Sequence, residues 1–79
     1  SRVIAVYPLA VEDELFINLK DNDGANVTVT VYNMMGQALK NINLASGVRS
    51  VHLNSLSTGC YIVKIQCESE VASFRVVKK

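Results

Sequence analysis

Apolar and polar residues alternate with a period of two along almost the whole chain, and no window of about twelve residues carries a helical stripe. Between Asn26 and Asn33, for example, valines at every second position alternate with threonine and tyrosine. The pattern predicts seven strands, at Val3–Tyr7, Glu14–Lys20, Asn26–Asn33, Gln37–Leu44, Val48–Leu53, Gly59–Cys67 and Glu70–Lys78. Short strands at roughly ten-residue spacing indicate an all-β fold, a seven-stranded antiparallel β-sandwich of immunoglobulin-like type.

Proline and glycine mark the turns between these strands. Pro8 has no backbone N–H to donate into a ladder, so it should end the first strand. Gly24, Gly36 and Gly47 mark three tight turns. The Asp-Gly step at Gly24 predicts an antiparallel hairpin between the second and third predicted strands.

The length of the chain fits one small domain, residues 1–79, near the lower limit at which a hydrophobic core alone stabilises a fold. Because the sequence opens on serine rather than methionine, we expect a fragment of a longer secreted protein. The last predicted strand runs almost to Lys79, and a terminal strand frays unless it is paired. We therefore expect the carboxyl end to be part of a sheet. A formal net charge of +1 argues against a nucleic-acid binder, which needs a clustered basic face.

The ionisable residues form no catalytic constellation that the sequence alone can identify. His52 is the only histidine and has no carboxylate beside it in sequence, so we expect a surface histidine rather than a catalytic base. The three acids at 12–14 should stay hydrated in a loop. The acidic turn before Gly24 fails as a calcium loop, because leucine and threonine occupy the positions where such a loop needs acids. We expect no enzyme, no metal, no cofactor and no small-molecule substrate.

Cys60 and Cys67 fall on one predicted strand, which argues against a disulfide between them. Seven residues of extended chain would separate their Cα atoms by about 23 Å, whereas a bridge requires roughly 4.4–6.8 Å. Their odd spacing also directs the two side chains to opposite faces. We expect two unpaired thiols.

Five short motifs follow one another along the chain. They are Val6-Tyr7-Pro8, Leu15-Phe16-Ile17, the Tyr-Asn-x-x-Gly turn within Val31–Gln37, the Leu-x-x-Gly-x-Tyr segment within Val51–Ile65, and the basic β-prone end Phe74–Lys79. With these motifs the chain resembles the C-terminal sorting domains, type A, of type IX secretion system (Por secretion system) cargo proteins from the Bacteroidetes. The resemblance covers nearly the whole sequence. It departs from the family at Leu9-Ala10, where Asn-Pro is usual, and at Cys60, where an aliphatic residue is typical.

The resemblance implies a non-catalytic secretion signal. Such a domain folds in the periplasm and directs its cargo through an outer-membrane translocon to the cell surface. It is commonly removed by a sortase-like cysteine peptidase that links the cargo to an anionic lipopolysaccharide. The cut would fall upstream of the domain, near or before Ser1.

We further expect the last two predicted strands to present the surface that the secretion machinery recognises. The candidate residues are Gly59, Tyr61, Val63, Lys64, Val76, Val77, Lys78 and Lys79. If the last strand is held by only one neighbour, it could exchange between copies and give a strand-swapped homodimer.

A generic immunoglobulin-like adhesion or carbohydrate-binding accessory module is the alternative function. Such modules usually carry exposed aromatic side chains for stacking on sugars. This chain has Tyr7, Tyr32, Tyr61 and two phenylalanines, and most of them fall on strands where core packing is expected. The aromatic positions therefore favour the sorting domain.

Overall fold

The computed structural model describes residues 3–20 and 26–79, and within them it consists of β-strands, turns and loops. The strands are β1 (Val3–Tyr7), β2 (Ala10–Val11), β3 (Glu14–Leu19), β4 (Val27–Asn33), β5 (Ala38–Leu44), β6 (Ser50–His52), β7 (Gly59–Cys67) and β8 (Glu70–Lys78). The predicted turn at Gly24 lies outside the described residues.

Two sheets contain all eight strands. A three-stranded antiparallel sheet has the order β1-β3-β6, and a five-stranded sheet has the order β2-β8-β7-β4-β5. The predicted all-β fold is thus confirmed, but the count of seven antiparallel strands is wrong. The additional strand β2 has only two residues and pairs in parallel with β8. A strand of that length is too short to show a period of two, so the sequence pattern could not reveal it.

The predicted hairpin between the second and third strands is also wrong. These strands are β3 and β4, and they belong to different sheets, since β3 pairs with β1 and β6 while β4 pairs with β5 and β7. An Asp-Gly turn signals that the chain reverses, but a reversal can join two sheets as well as two neighbours in one sheet.

One hydrophobic core receives side chains from both sheets. Alternation along each strand directs every second residue into it, as the burial pattern of β7 shows. The buried apolar residues are Val6, Val11, Leu15, Ile17, Leu19, Val27, Val29, Val31, Leu44, Val51, Leu53, Tyr61, Val63, Ile65, Cys67 and Val76. Each large aliphatic side chain removed from water in this way contributes about 1.5–3 kcal/mol, which makes the core the main source of stability.

The last strand is built into the five-stranded sheet, as predicted. On one side β8 pairs antiparallel with β7 along its whole length, from Gly59 opposite Lys78 to Cys67 opposite Glu70. On the other side it pairs with β2, and the backbone N–H of Lys79 donates to the carbonyl oxygen of Val11 at 2.8 Å. The premise of the strand-swap expectation is therefore wrong, because β8 has two neighbours. Strands β2 and β5 form the edges of this sheet.

Candidate recognition surface

Strand alternation divides the candidate recognition residues between two faces of the five-stranded sheet. The buried members are Tyr61, Val63, Val76 and Lys78. The exposed members are Val77 and Lys79, and the half-buried members are Gly59 and Lys64. The structure therefore brings all eight together on β7 and β8, but only part of the set is open to a partner.

Tyr61 closes the loop that leads into β7. Its ring is buried, and its hydroxyl donates a hydrogen bond of 2.6 Å to the carbonyl oxygen of Ser57. Just upstream, the backbone N–H of Leu56 donates to the carbonyl oxygen of Leu53 at 3.0 Å, and the Leu56 side chain packs on the core. A buried tyrosine needs such a partner for its hydroxyl. The Leu-x-x-Gly-x-Tyr motif thus has a structural explanation, since it anchors this loop at both ends.

Asn33 organises the turn between β4 and β5. Its Oδ1 accepts hydrogen bonds from the backbone N–H groups of Met35 (2.9 Å) and Gln37 (3.0 Å), and its Nδ2 donates to Oε1 of Gln37 at 2.7 Å. Gly36 has a φ of 86°, a left-handed conformation that glycine adopts without steric cost. Asparagine favours turns because its short side chain can replace backbone partners in this way. The Tyr-Asn-x-x-Gly motif therefore encodes the turn.

The two final lysines have different environments. Lys78 follows the inward alternation of β8 and is only 8% exposed, with its Nζ donating to the carbonyl oxygen of Lys79 at 3.1 Å. Lys79 is exposed and is held through its backbone bond to Val11. A lysine can bury its aliphatic stem while its ammonium group reaches a polar partner. Sequence reasoning treated the two lysines as equivalent and missed the contribution of β2.

The opposite side of the same strands is open and carries both cationic and apolar groups. We call this surface the outer face; it is formed by Tyr32, Ile62, Lys64, Val71, Arg75 and Val77. Cross-strand pairing places Tyr32 beside Ile62 and Ile62 beside Arg75 in one row. Lys64 Nζ lies 5.5 Å from the centroid of the Tyr32 ring, within the range of a cation–π contact.

The structure brings carboxylates to His52 that are remote in sequence. His52 Nδ1 lies 3.2 Å from Asp13 Oδ1, and the Ser50 hydroxyl donates a 2.7 Å hydrogen bond to Glu14 Oε2. The pairing of β3 with β6 causes this, because it sets Glu14 opposite His52. The Ser50 hydroxyl is bonded to Glu14, whereas a nucleophile of a triad is bonded to the histidine. The expected surface position of His52 is confirmed by a side chain that is 62% exposed.

Both cysteines are free thiols, with Cys60 exposed and Cys67 buried. The predicted absence of a bridge between them and their opposite orientation are confirmed.

Other binding features of the described residues are few. A pocket of about 200 Å³ is lined by Ile17, Asn18, Leu19 and Arg49, and it is smaller than the roughly 300–1,000 Å³ typical of small-molecule sites. Within residues 3–20 and 26–79, no group of three or more His, Cys, Asp or Glu side chains is placed to hold a metal ion. The described part of the chain also has no helix with the length and apolar character needed to span a membrane.

Two aromatic residues lie on the surface, contrary to the expectation that the aromatic side chains would mostly pack in the core. Tyr7 and Phe16 are 52% and 38% exposed and stack with ring centroids 5.5 Å apart and an interplanar angle of 20°. They form a cross-strand pair on the side of β1 and β3 that faces away from the core. The sequence could not reveal this, because aromatic residues suit either face of a strand.

Comparison with known families matches residues 5–79 to the model of the secretion system C-terminal sorting domain. The match covers nearly the whole chain, so the chain belongs to this family, a class of sorting signals rather than of catalytic domains. Within that class it is a type IX secretion C-terminal sorting domain, and the resemblance found in the sequence is confirmed. Such a signal directs export across the outer membrane to the cell surface or the extracellular space. No curated protein matches the chain.

Proposed function

We propose that this domain acts at the carboxyl-terminal end of a longer cargo protein and directs that cargo from the periplasm through the type IX outer-membrane translocon. The family match over residues 5–79 is the observation that carries the proposal. The contacts made by the motif residues support it, because they explain why a signal of this kind must be folded. Asn33 fixes the turn between β4 and β5 of the sheet that carries the candidate surface, and Tyr61 fixes the loop through which the chain enters β7 of that sheet from β6.

A reporter fusion tests the export function. A folded reporter carrying residues 1–79 at its carboxyl end is expressed in a bacterium with a type IX system, and surface exposure is measured by protease accessibility in intact cells. Export of the fusion, with retention of the reporter alone in the periplasm, is the expected result. Retention of both proteins contradicts the proposal. A strain that lacks the translocon provides the control, since export there would have to use another route.

The recognition residues have two roles in this proposal. Lys64, Val77 and Lys79 are exposed or half-buried and contact the machinery directly. The others, Gly59, Tyr61, Val63, Val76 and Lys78, hold β7 and β8 in place. Deleting Lys78-Lys79 removes an exposed cation and also the backbone bond to Val11. Loss of export on deletion, combined with normal export of a Lys79→Ala variant, would assign the effect to the bond rather than to the side chain.

Processing is a separate part of the proposal. We expect a sortase-like peptidase to cut upstream of the domain and to join the cargo to surface lipopolysaccharide. Mass spectrometry of peptides from the exported reporter checks this, and peptides from residues 1–79 should be absent if the domain is removed before the cargo is joined to lipopolysaccharide. An exported reporter that keeps the domain intact would contradict processing but not export.

The immunoglobulin-like type of the sandwich is also proposed. The Tyr61 hydroxyl bonds to a carbonyl oxygen four residues upstream at the start of a strand, which resembles the tyrosine corner of such domains. A homodimer formed by exchange of β8 stays a prediction, and it would require the pairings of β8 with both β2 and β7 to open. Light scattering coupled to size exclusion tests it: a dimer at high concentration would support the exchange, and a monomer at every concentration would contradict it.

The stacked pair of Tyr7 and Phe16 favours one second candidate, a carbohydrate-binding accessory module. Exposed aromatic rings beside Glu14 and Ser50 provide stacking and hydrogen-bonding groups of the kind that sugars use. Binding to a glycan array that is lost in Tyr7→Ala, together with failure of the reporter fusion to leave the periplasm, would select this function. Export without glycan binding selects the sorting function.

A further inference from the structure

The outer face of the five-stranded sheet has an uneven charge distribution. Glu70 is the only Asp or Glu in β2, β4, β5, β7 and β8. It is the first residue of β8 and lies opposite buried Cys67, on the side of the sheet that faces the core. The outer face therefore presents Lys64 and Arg75 without any Asp or Glu of its own strands. By contrast, the acids at 12–14 lie next to the three-stranded sheet.

Both apolar and polar side chains lie beside these two cations. Lys64 pairs across the strands with Thr30 and Ser73, and Arg75 pairs with Ile62. Val71 and Val77 are 54% and 43% exposed, and Ile62 lies in the row between Tyr32 and Arg75. Tyrosine and arginine are enriched in protein interfaces, and apolar groups fill their centres.

We infer that the outer face, centred on Lys64, Arg75 and Val77, is the surface through which this sorting domain docks to a protein partner that presents carboxylates around an apolar patch. The inference rests on the proposed export function and adds the location and the chemistry of the contact. Two cations are few for an anionic lipid surface, where clusters of about four to eight lysines or arginines are typical. The apolar groups between them fit a protein surface instead.

Charge reversal within the reporter fusion tests the inference. The double variant Lys64→Glu/Arg75→Glu places like charges against the partner, and we expect export to fall about tenfold or more. Lys20→Glu is the matched control for the single variants Lys64→Glu and Arg75→Glu, because each reverses one charge and Lys20 is exposed just after β3 of the other sheet. Export of Lys20→Glu should stay within about twofold of the parent, and each single variant on the outer face should lower export further. Arg75→Lys keeps the charge and should retain most of the export. The unfolding midpoint of each purified domain must match the parent, so that a loss of export reports on docking.

The outcomes separate the inference from the function on which it rests. If the parent fusion is exported and the double variant is exported equally well, the inference is overturned while the export function stands. An equal loss in Lys20→Glu also overturns it, because the effect would then follow net charge. If the parent fusion is not exported, both fail. Finally, the purified domain is mixed with vesicles of equal parts phosphatidylcholine and phosphatidylglycerol. If the parent domain co-sediments with the vesicles and the double variant does not, the outer face binds a lipid surface, and the inference of a protein partner is overturned.

Discussion

The two sheets share the alternation of apolar and polar residues but differ in the length of their strands and in the side chains that they expose. In the five-stranded sheet, β7 and β8 pair over nine residues each, and β7 lies between β8 and β4. In the three-stranded sheet, β6 has only three residues and pairs with β3 at three positions. The first sheet carries the cationic outer face, whereas the second carries the stacked aromatics and the hydrogen-bonded acids. The long ladders thus carry the proposed docking surface, and the short ones mainly close the core.

Matched core truncations should produce the largest effects and distinguish the two sheets. Ile65 is fully buried on β7, and Ile17 is nearly so on β3. We expect Ile65→Ala to lower the free energy of unfolding by about 4 kcal/mol and Ile17→Ala by about 2–3 kcal/mol. Ile65 is fully enclosed in the core, whereas Ile17 already lines a pocket, so its truncation creates less new enclosed cavity. Urea unfolding measures both values. A larger loss for Ile17→Ala would contradict the central role assigned to the five-stranded sheet.

Removing single hydroxyl groups should change the unfolding free energy less, and it tests one hydrogen bond at a time. Tyr61→Phe deletes the bond to Ser57 but keeps the buried ring, and it should cost about 1–1.5 kcal/mol of unfolding free energy. Tyr7→Phe serves as the control, because its ring lies half-exposed on the three-stranded sheet, and the change should be within about 0.5 kcal/mol. Equal effects of the two variants would show that the loop before β7 does not depend on this bond.

Disrupting the turn between β4 and β5 should lower the unfolding free energy by a similar or slightly smaller amount. Asn33→Ala removes three hydrogen bonds at an exposed site, and we expect a loss of about 1 kcal/mol in unfolding free energy. Asn54→Ala, in the exposed loop after β6, is the matched control and should have little effect. Thermal denaturation of the two variants tests this. An unchanged midpoint for Asn33→Ala would mean that Gly36 alone determines the turn.

The smallest effect should come from the contact between His52 and Asp13 at the edge of the three-stranded sheet. His52 and Asp13 are 62% and 53% exposed in their side chains, so water screens their interaction. Asp13→Asn should change the unfolding free energy by less than about 0.5 kcal/mol. If Asp13→Asn lowers the unfolding free energy by more than Asn33→Ala does, side-chain contacts in the three-stranded sheet contribute more to stability than its short strand pairings suggest.

Most strands and turns of this domain can be predicted from short stretches of neighbouring residues. The period of two placed seven of the eight strands. It also puts Tyr61, Val63 and Ile65 of β7 on one face, and the structure buries that face. Alternation is a property of neighbouring residues on one strand, so no knowledge of the fold is needed to see it. The motifs around Asn33 and Tyr61 likewise act within a few residues of themselves. These local signals were sufficient to identify the family.

Contacts between segments that are distant in sequence were determined only by the tertiary structure. The sequence could not reveal that β3 and β4 belong to different sheets, that β2 covers the far side of β8, or that Asp13 meets His52. The burial of Lys78 and the carboxylate-free outer face around Arg75 depend on the same pairings. A strand carries the same alternation whichever neighbour it joins, so strand order follows from how both apolar faces meet in one core. The sequence by itself determined the strands and their inward faces, and the tertiary structure determined which surfaces remained open for a partner.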